Sequence, residues 1–247
     1  MSLIIPAPPL EIYLLGEVSL DDVLRLQRRL VYEAGESGGG ALVLCEHSPS
    51  ISVGRLGSWG HIRADFDELK SAGIPVRWVN RGGGCVYHMP GQVAAYVILP
   101  LPLIGLNVSE YLEALQRSIL GCLADFDIQG IVSARVPGIF LGDARVASLG
   151  IAVSRWVAYH GFTLNVGPYL EPFRSFLREP GPHDAPLRQT SMEARRQRPT
   201  AMSKVKESLI RNLETVFGLE RHHLYTNHPM LERKAVPHVV ARSFGSV

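Results

Sequence analysis

The residues best equipped for chemistry lie together between Asn80 and Pro100, in the run NRGGGCVYHMPGQVAAYVILP. Here Gly82, Gly83 and Gly84 precede Cys85, Tyr87, His88 and Gln92. Residues without a Cβ let backbone amides approach a ligand closely and permit positive φ. A thiol and an imidazole beside such a loop offer a nucleophile and a proton carrier. No Gly-Lys-Ser/Thr follows, which excludes a P-loop, and the GxGxxG spacing of a dinucleotide site is absent. If Cys85 to His88 is extended, the thiol and the imidazole point to opposite faces and do not pair directly. Cys85 is therefore either a nucleophile working without that histidine or a small buried side chain. His88 and His160, each near a glycine, read as site-lining residues that position a substrate. His222, His223 and His228 read as an exposed tail rather than a metal set.

These groups need a scaffold, and hydrophobic periodicity supplies one. Ser19 to Glu33 carries Leu20, Val23, Leu24, Leu26, Leu30 and Val31 at near-helical spacing, with Ser19 as N-cap. Ser109 to Ala124 and Thr200 to Phe217 repeat the period, the latter stopped by Gly218. Strands are expected at Ile12–Leu15, Ala41–Cys45, Ile74–Val79, Ala94–Leu99, Val132–Val136, Gly138–Leu141, Val146–Val153 and Trp156–Val166. Gly142-Asp143 and Ser154-Arg155 mark hairpin turns, and the stretch from Pro168 to Pro199 reads as loop. The order predicts a single α+β domain over residues 1–218, a mixed or mainly antiparallel sheet flanked by helices, followed by a basic tail at 219–247.

Composition bounds the function. The chain has 247 residues, 46% hydrophobic and 19% charged, which excludes disorder, collagen and coiled coil. The longest stretch without a formal charge, Gly82 to Ser109, is broken by three glycines at its start and by Pro90, Pro100 and Pro102, so it is no spanning helix. The first arginine is Arg25, so the N-terminus shows no secretory n-region. Three cysteines, Cys45, Cys85 and Cys122, suit neither a disulfide framework nor a zinc site, which predicts a reducing, cytoplasmic location. From Arg188 onward there are 11 Lys plus Arg against 5 Asp plus Glu, an asymmetry that suits an acidic partner or a solvated helical face.

With its residues in order, the glycine-rich segment resembles the lipoate and octanoate transferases of the biotin/lipoate protein ligase superfamily. Their Arg-Gly-Gly and Tyr-His-Gly-Pro-Gly-Gln motifs stand here as Arg81-Gly82-Gly83 and Tyr87-His88-Met89-Pro90-Gly91-Gln92. Glu46-His47-Ser48-Pro49 with Val53-Gly54-Arg55, Gly138-Ile139-Phe140-Leu141, and His160-Gly161-Phe162 with Leu164-Asn165-Val166 are similar to further blocks of that family. The resemblance covers about residues 12 to 217. It implies transfer of an octanoyl group from an acyl carrier protein to a lysine of a lipoyl domain, by a monomer needing no cofactor or metal and acting on neither nucleic acid nor membrane. It also implies that Arg81, Gly82, Gly83, Gly84, Tyr87, Gln92, Ser148, Gly150, His160, Gly161 and Asn165 bind an octanoyl or lipoyl substrate.

In that family a cysteine, assisted by a lysine, carries the acyl group as a thioester. Here Arg145 follows Gly142-Asp143-Ala144 where the lysine is expected, and the segment Glu179 to Pro182 covers the expected cysteine. No cysteine follows Cys122. Arginine keeps the positive charge but serves as neither acid nor base near neutral pH. Arg145, His88 and Cys85 are then the catalytic candidates. Two transfer routes remain open: a nucleophile relocated to Cys85, or direct attack by the lysine amine with Arg145 stabilising the oxyanion. The alternative is a non-catalytic homologue that binds the acyl group or its carrier. An ATP-dependent lipoate or biotin ligase ranks last, because no lysine lies between Lys70 and Lys204.

Overall fold

The strand Gln92–Pro100 is buried at all nine positions, and the rest of the chain is built outward from it. The computed structural model describes residues 10–133, 136–180, 186–219 and 222–231. Its strands are β1 (Leu10–Val18), β2 (Ala41–His47), β3 (Ser50–Val53), β4 (Val76–Trp78), β5 (Cys85–His88), β6 (Gln92–Pro100), β7 (Ile131–Val132), β8 (Ile139–Leu141), β9 (Ala144–Ser154), β10 (Val157–Asn165), β11 (Arg188–Gln189) and β12 (His222–Tyr225). Its helices are α1 (Leu20–Ser37), α2 (Phe66–Ser71), α3 (Leu101–Ile104), α4 (Val108–Ala124), α5 (Glu171–Phe176), α6 (Met192–Arg196) and α7 (Met202–Phe217).

The main sheet runs β12-β1-β2-β6-β10-β9-β8-β7, with β11 also pairing β9. The pairs β12/β1, β1/β2 and β11/β9 are parallel and the others antiparallel, so the sheet is mixed. Alternation along β2 and β6 makes two cores. Leu42, Leu44, Val93, Ala95, Val97 and Leu99 face α4 and α7, whereas Val43, Cys45, Ala94, Tyr96 and Ile98 face α1. Helix α1 begins where Ser19 accepts from the Asp22 N–H and ends at Gly38 with φ 72°. It buries Leu20, Val23, Leu26, Gln27, Leu30 and Ala34 along one stripe. A second, three-stranded sheet, β4-β3-β5, carries its own core against α5. Among the described residues no helix is long and apolar enough to cross a membrane.

The expected α+β architecture and mixed sheet are present, with differences at the edges. Strand β3 was not expected, because four residues are too few to show a period. The strand expected at Val132–Val136 is only Ile131–Val132 on its described residues, with 134–135 lying outside them. The second hairpin turns on Arg155-Trp156 rather than Ser154-Arg155, with both residues at positive φ and Ser154 paired to Val157. The expected loop from Pro168 to Pro199 contains α5, β11 and α6, each under two turns or a single ladder step and so invisible to periodicity. Of the tail assigned to 219–247, His222–Tyr225 joins β1 as an edge strand, and residues 232–247 lie outside the described ones.

Candidate active site

The glycine loop joins β4 to β5 and is clamped on two sides. Gly82 N–H donates to the Ile151 carbonyl on β9 at 2.9 Å. The N–H groups of Gly54, Arg55 and Leu56 donate to the carbonyls of Gly84, Arg81 and Gly83. Contact with the loop is tight enough to require glycine on β9: a Cβ on Gly150 would stand 2.3 Å from the Gly82 carbonyl oxygen. A Cβ on Gly84 would run into the Glu179 carboxylate.

Between this loop, α1 and the main sheet lies a narrow inner cleft, open in part to solvent. Leu20, Leu24, Ala94, Leu149 and Phe162 make its walls largely apolar, and Arg81, Ser52, His88, Ser148, His160 and Thr163 bring polar atoms to it. The Arg81 guanidinium is buried and donates to the Gly82 carbonyl at 2.9 Å and to the Ser52 carbonyl and hydroxyl at 3.1 and 2.8 Å. Burial pushes its pKa down to about 10, still charged at neutral pH. Ser52 in turn lies 2.8 Å from His88 Nε2. Burial, then the neighbouring His47 and Arg81, hold His88 well below the usual histidine range, so its ring is neutral.

His160 is set differently. It holds φ at 62°, a left-handed conformation uncommon for a residue with a side chain, and the Gln27 side chain of α1 accepts its backbone N–H at 2.9 Å. The ring stacks on Tyr159 and bonds Asn80 through Nε2 at 3.0 Å. Burial pushes its pKa down to about 3. His47 supports the cleft from behind. Its Nδ1 donates to the Val18 carbonyl at 2.7 Å, so Nε2 accepts from the Tyr96 hydroxyl at 2.8 Å. Burial pushes its pKa down to about 4, so it too is neutral.

An outer cleft shares Arg81, Val86, Ser148 and Leu149 with the inner one and reaches Arg145, Glu179 and the glycine loop. Arg145 Nη2 donates to Glu179 Oε2 at 2.6 Å, and both side chains are under a tenth exposed. The position where the resemblance leads one to expect a lysine thus meets, in space, the segment where it leads one to expect a cysteine.

Not every expected residue reaches these clefts. Alternation along β5 sends Val86 and His88 to the inner cleft and Cys85 and Tyr87 to the opposite core, as the spacing requires. Burial, with the Glu179 charge adding to it, pushes the Cys85 thiol up to about 11. Tyr87 stacks on Phe176. Gln92 donates to the Tyr87 carbonyl and to Asn165, which donates to the Thr190 carbonyl, so this pair ties the ends of β5, β6 and β10 to the segment before α6. Arg81, Gly82, Gly83, Gly84, Ser148, Gly150, His160 and Gly161 line a cleft or its loop. Ser52, Tyr96, Gln27 and Glu179 were not singled out in sequence. Only Glu179 left a signal, at the edge of the segment where a cysteine was expected.

Residues 20–214 match the model of the lipoyl protein ligase A/B catalytic domain. An octanoyltransferase of Roseiflexus sp. (strain RS-1) is 36% identical over 219 residues, covering 85% of this chain and 88% of that protein. One of Syntrophobacter fumaroxidans is 43% identical over 132 residues, and one of Myxococcus xanthus 35% over 222, but the chain spans only 58% and 60% of their lengths. Among solved structures, a lipoate-protein ligase A bound with ATP superposes with a TM-score of 0.75 at 15% identity, covering 90% of this chain and 91% of that one. The bipartite lipoate protein ligase of Thermoplasma acidophilum gives 0.67 at 15% identity, covering 89% of each. On the extent of the domain match and the identity to near full-length relatives, the chain belongs to the lipoyl protein ligase A/B catalytic-domain family.

Proposed function

We propose that this protein transfers an octanoyl group from the thioester of an acyl carrier protein to a lysine amine of a lipoyl domain, in a reducing cytoplasm suited to its three free thiols. The observation that carries the reading is the cleft itself, in a chain whose relatives are octanoyltransferases. Its apolar walls suit an unbranched acyl chain, its buried histidines are neutral, and its charged Arg81 is already buried and hydrogen-bonded to Ser52 and the Gly82 carbonyl. The thioester carbonyl then lies at the passage to the outer cleft, beside the glycine loop and the Arg145–Glu179 pair.

None of the three cysteines lines either cleft, which favours direct aminolysis over a relocated thiol. The lysine nitrogen bonds to the carbonyl carbon while glycine-loop amides and Arg145 hold the developing oxyanion. Glu179 takes the ammonium proton as the C–N bond forms, the C–S bond breaks, and the proton passes to the departing carrier thiolate. Amide and free carrier thiol are the products.

The test incubates the protein with octanoyl-loaded acyl carrier protein, with and without a lipoyl domain, and records intact masses of all three. The lipoyl domain should gain one octanoyl group and this protein none. A stable acyl adduct on this protein would replace direct aminolysis with a route through Cys85. Unchanged masses despite binding of the loaded carrier would overturn transfer and leave a non-catalytic binder.

A further inference from the structure

A groove between α5 and the segment that carries β11 continues the line of the two clefts. It shares Glu179 and Leu187 with the outer cleft and is bordered by Arg63, Arg174, Arg178 and Arg188. Two of these cations are already neutralised: Arg174 pairs with Glu171 at 2.7 Å and Arg188 with Asp143 at 2.6 Å. Arg63 and Arg178 have no carboxylate partner among the described residues, although the backbone brings them together. An antiparallel bridge joins Ile62 to Leu177, Arg63 N–H donates to the Phe176 carbonyl, and Arg178 N–H donates to the His61 carbonyl. Ile62 and Leu177 turn into the core, so by alternation Arg63 and Arg178 both turn outward on the same face.

The result is a graded path of apolar inner cleft, polar outer cleft and cationic groove. A thioester carried on a 4′-phosphopantetheine arm has the same grading: acyl chain, thioester, then a phosphate. Guanidinium groups match phosphate oxygens with paired, charge-assisted hydrogen bonds. We infer that the groove of Arg63 and Arg178 binds the phosphate of a 4′-phosphopantetheine arm whose thioester lies beside Arg145 and Glu179. This rests on the acyl-transfer reading above.

Unreactive thioethers separate the two claims. S-octyl-4′-phosphopantetheine and S-octyl-pantetheine are titrated calorimetrically into the wild type and into an Arg63→Gln, Arg178→Gln double variant, whose changed side chains are exposed. The wild type should bind the phosphorylated compound at least roughly tenfold more tightly. The variant should lose that preference while keeping its affinity for the compound without phosphate. Equal affinities in the wild type, or a preference that survives in the variant, would overturn the groove assignment alone. Binding of neither compound would overturn the acyl-transfer reading with it. S-octyl coenzyme A and S-octyl carrier protein present the same arm from two sources. The tighter of them names the source, and independence from both arginines in both cases would overturn the proposal.

Discussion

At the scale of single residues, the Arg145–Glu179 pair combines a structural demand with a chemical one. Two opposite charges buried together tolerate each other, but removing one leaves the other uncompensated, at a cost of roughly 3–5 kcal/mol. Glu179→Gln should therefore lower the urea midpoint and, on the proposed aminolysis route, reduce octanoyl transfer by roughly a hundredfold or more by removing the proton acceptor. Adding Arg145→Gln should restore most of the stability and none of the transfer. If the double variant regains activity, Glu179 takes no part in proton transfer. His47 supplies a pH dependence. Its folded pKa is about 4 against 6.5 for the free side chain, so below pH 6.5 the unfolded chain binds the extra proton first. Its contribution is fully present above pH 6.5 and is lost as pH falls toward 4, by up to roughly 3 kcal/mol. Urea unfolding across that window should show a shallower acid loss in His47→Gln than in the wild type. Residual slope belongs to groups such as His88 and His160, whose pKa values are lowered in the same direction.

At the scale of elements, strand-to-loop distances decide whether the site exists. Strand β9 approaches the glycine loop so closely that Gly150→Ala must displace backbone rather than a flexible side chain end. The expected cost is roughly 1–3 kcal/mol in thermal unfolding, with a larger proportional loss of transfer because the loop amides move. Gly16→Ala on β1, where nothing lies within 4 Å of a new Cβ, should change neither. Equal effects of the two substitutions on transfer would mean that loop position is not limiting. Helix α1 acts at a similar remove: its apolar stripe packs on the sheet, and the one polar member, Gln27, holds the His160 backbone in a conformation the strand alone would not keep.

Across the whole molecule, the two sheets meet at the site. The main sheet contributes β9 and β10, the small one β3 and β5, and the clefts run between them toward the arginine groove. A cationic mouth on a long path makes association with an acidic carrier sensitive to ionic strength. Octanoyl transfer measured as kcat/KM with an intact carrier protein should fall between low and physiological salt. The fall should be shallower with octanoyl-pantetheine, which carries no phosphate. Identical salt profiles for the two donors would exclude electrostatic steering at this mouth.

Much of this was legible in the chain. Glycines, histidines and their spacing marked the segment from Arg81 to Gln92, and periodicity marked α1, α4, α7 and the long central strands, because a buried face repeats every two or 3.6 residues. The same alternation separates Cys85 from His88. What sequence could not decide was contact between distant positions. Arg145 and Glu179 are 34 residues apart and Gln27 and His160 are 133 apart, and such pairs form only when strands and helices close on one another. Elements too short to carry a period, β3, β11 and α6, were likewise settled by pairing and burial. Residue chemistry and local repeats are written along the chain, whereas a site assembled across sheets depends on packing that no local pattern encodes.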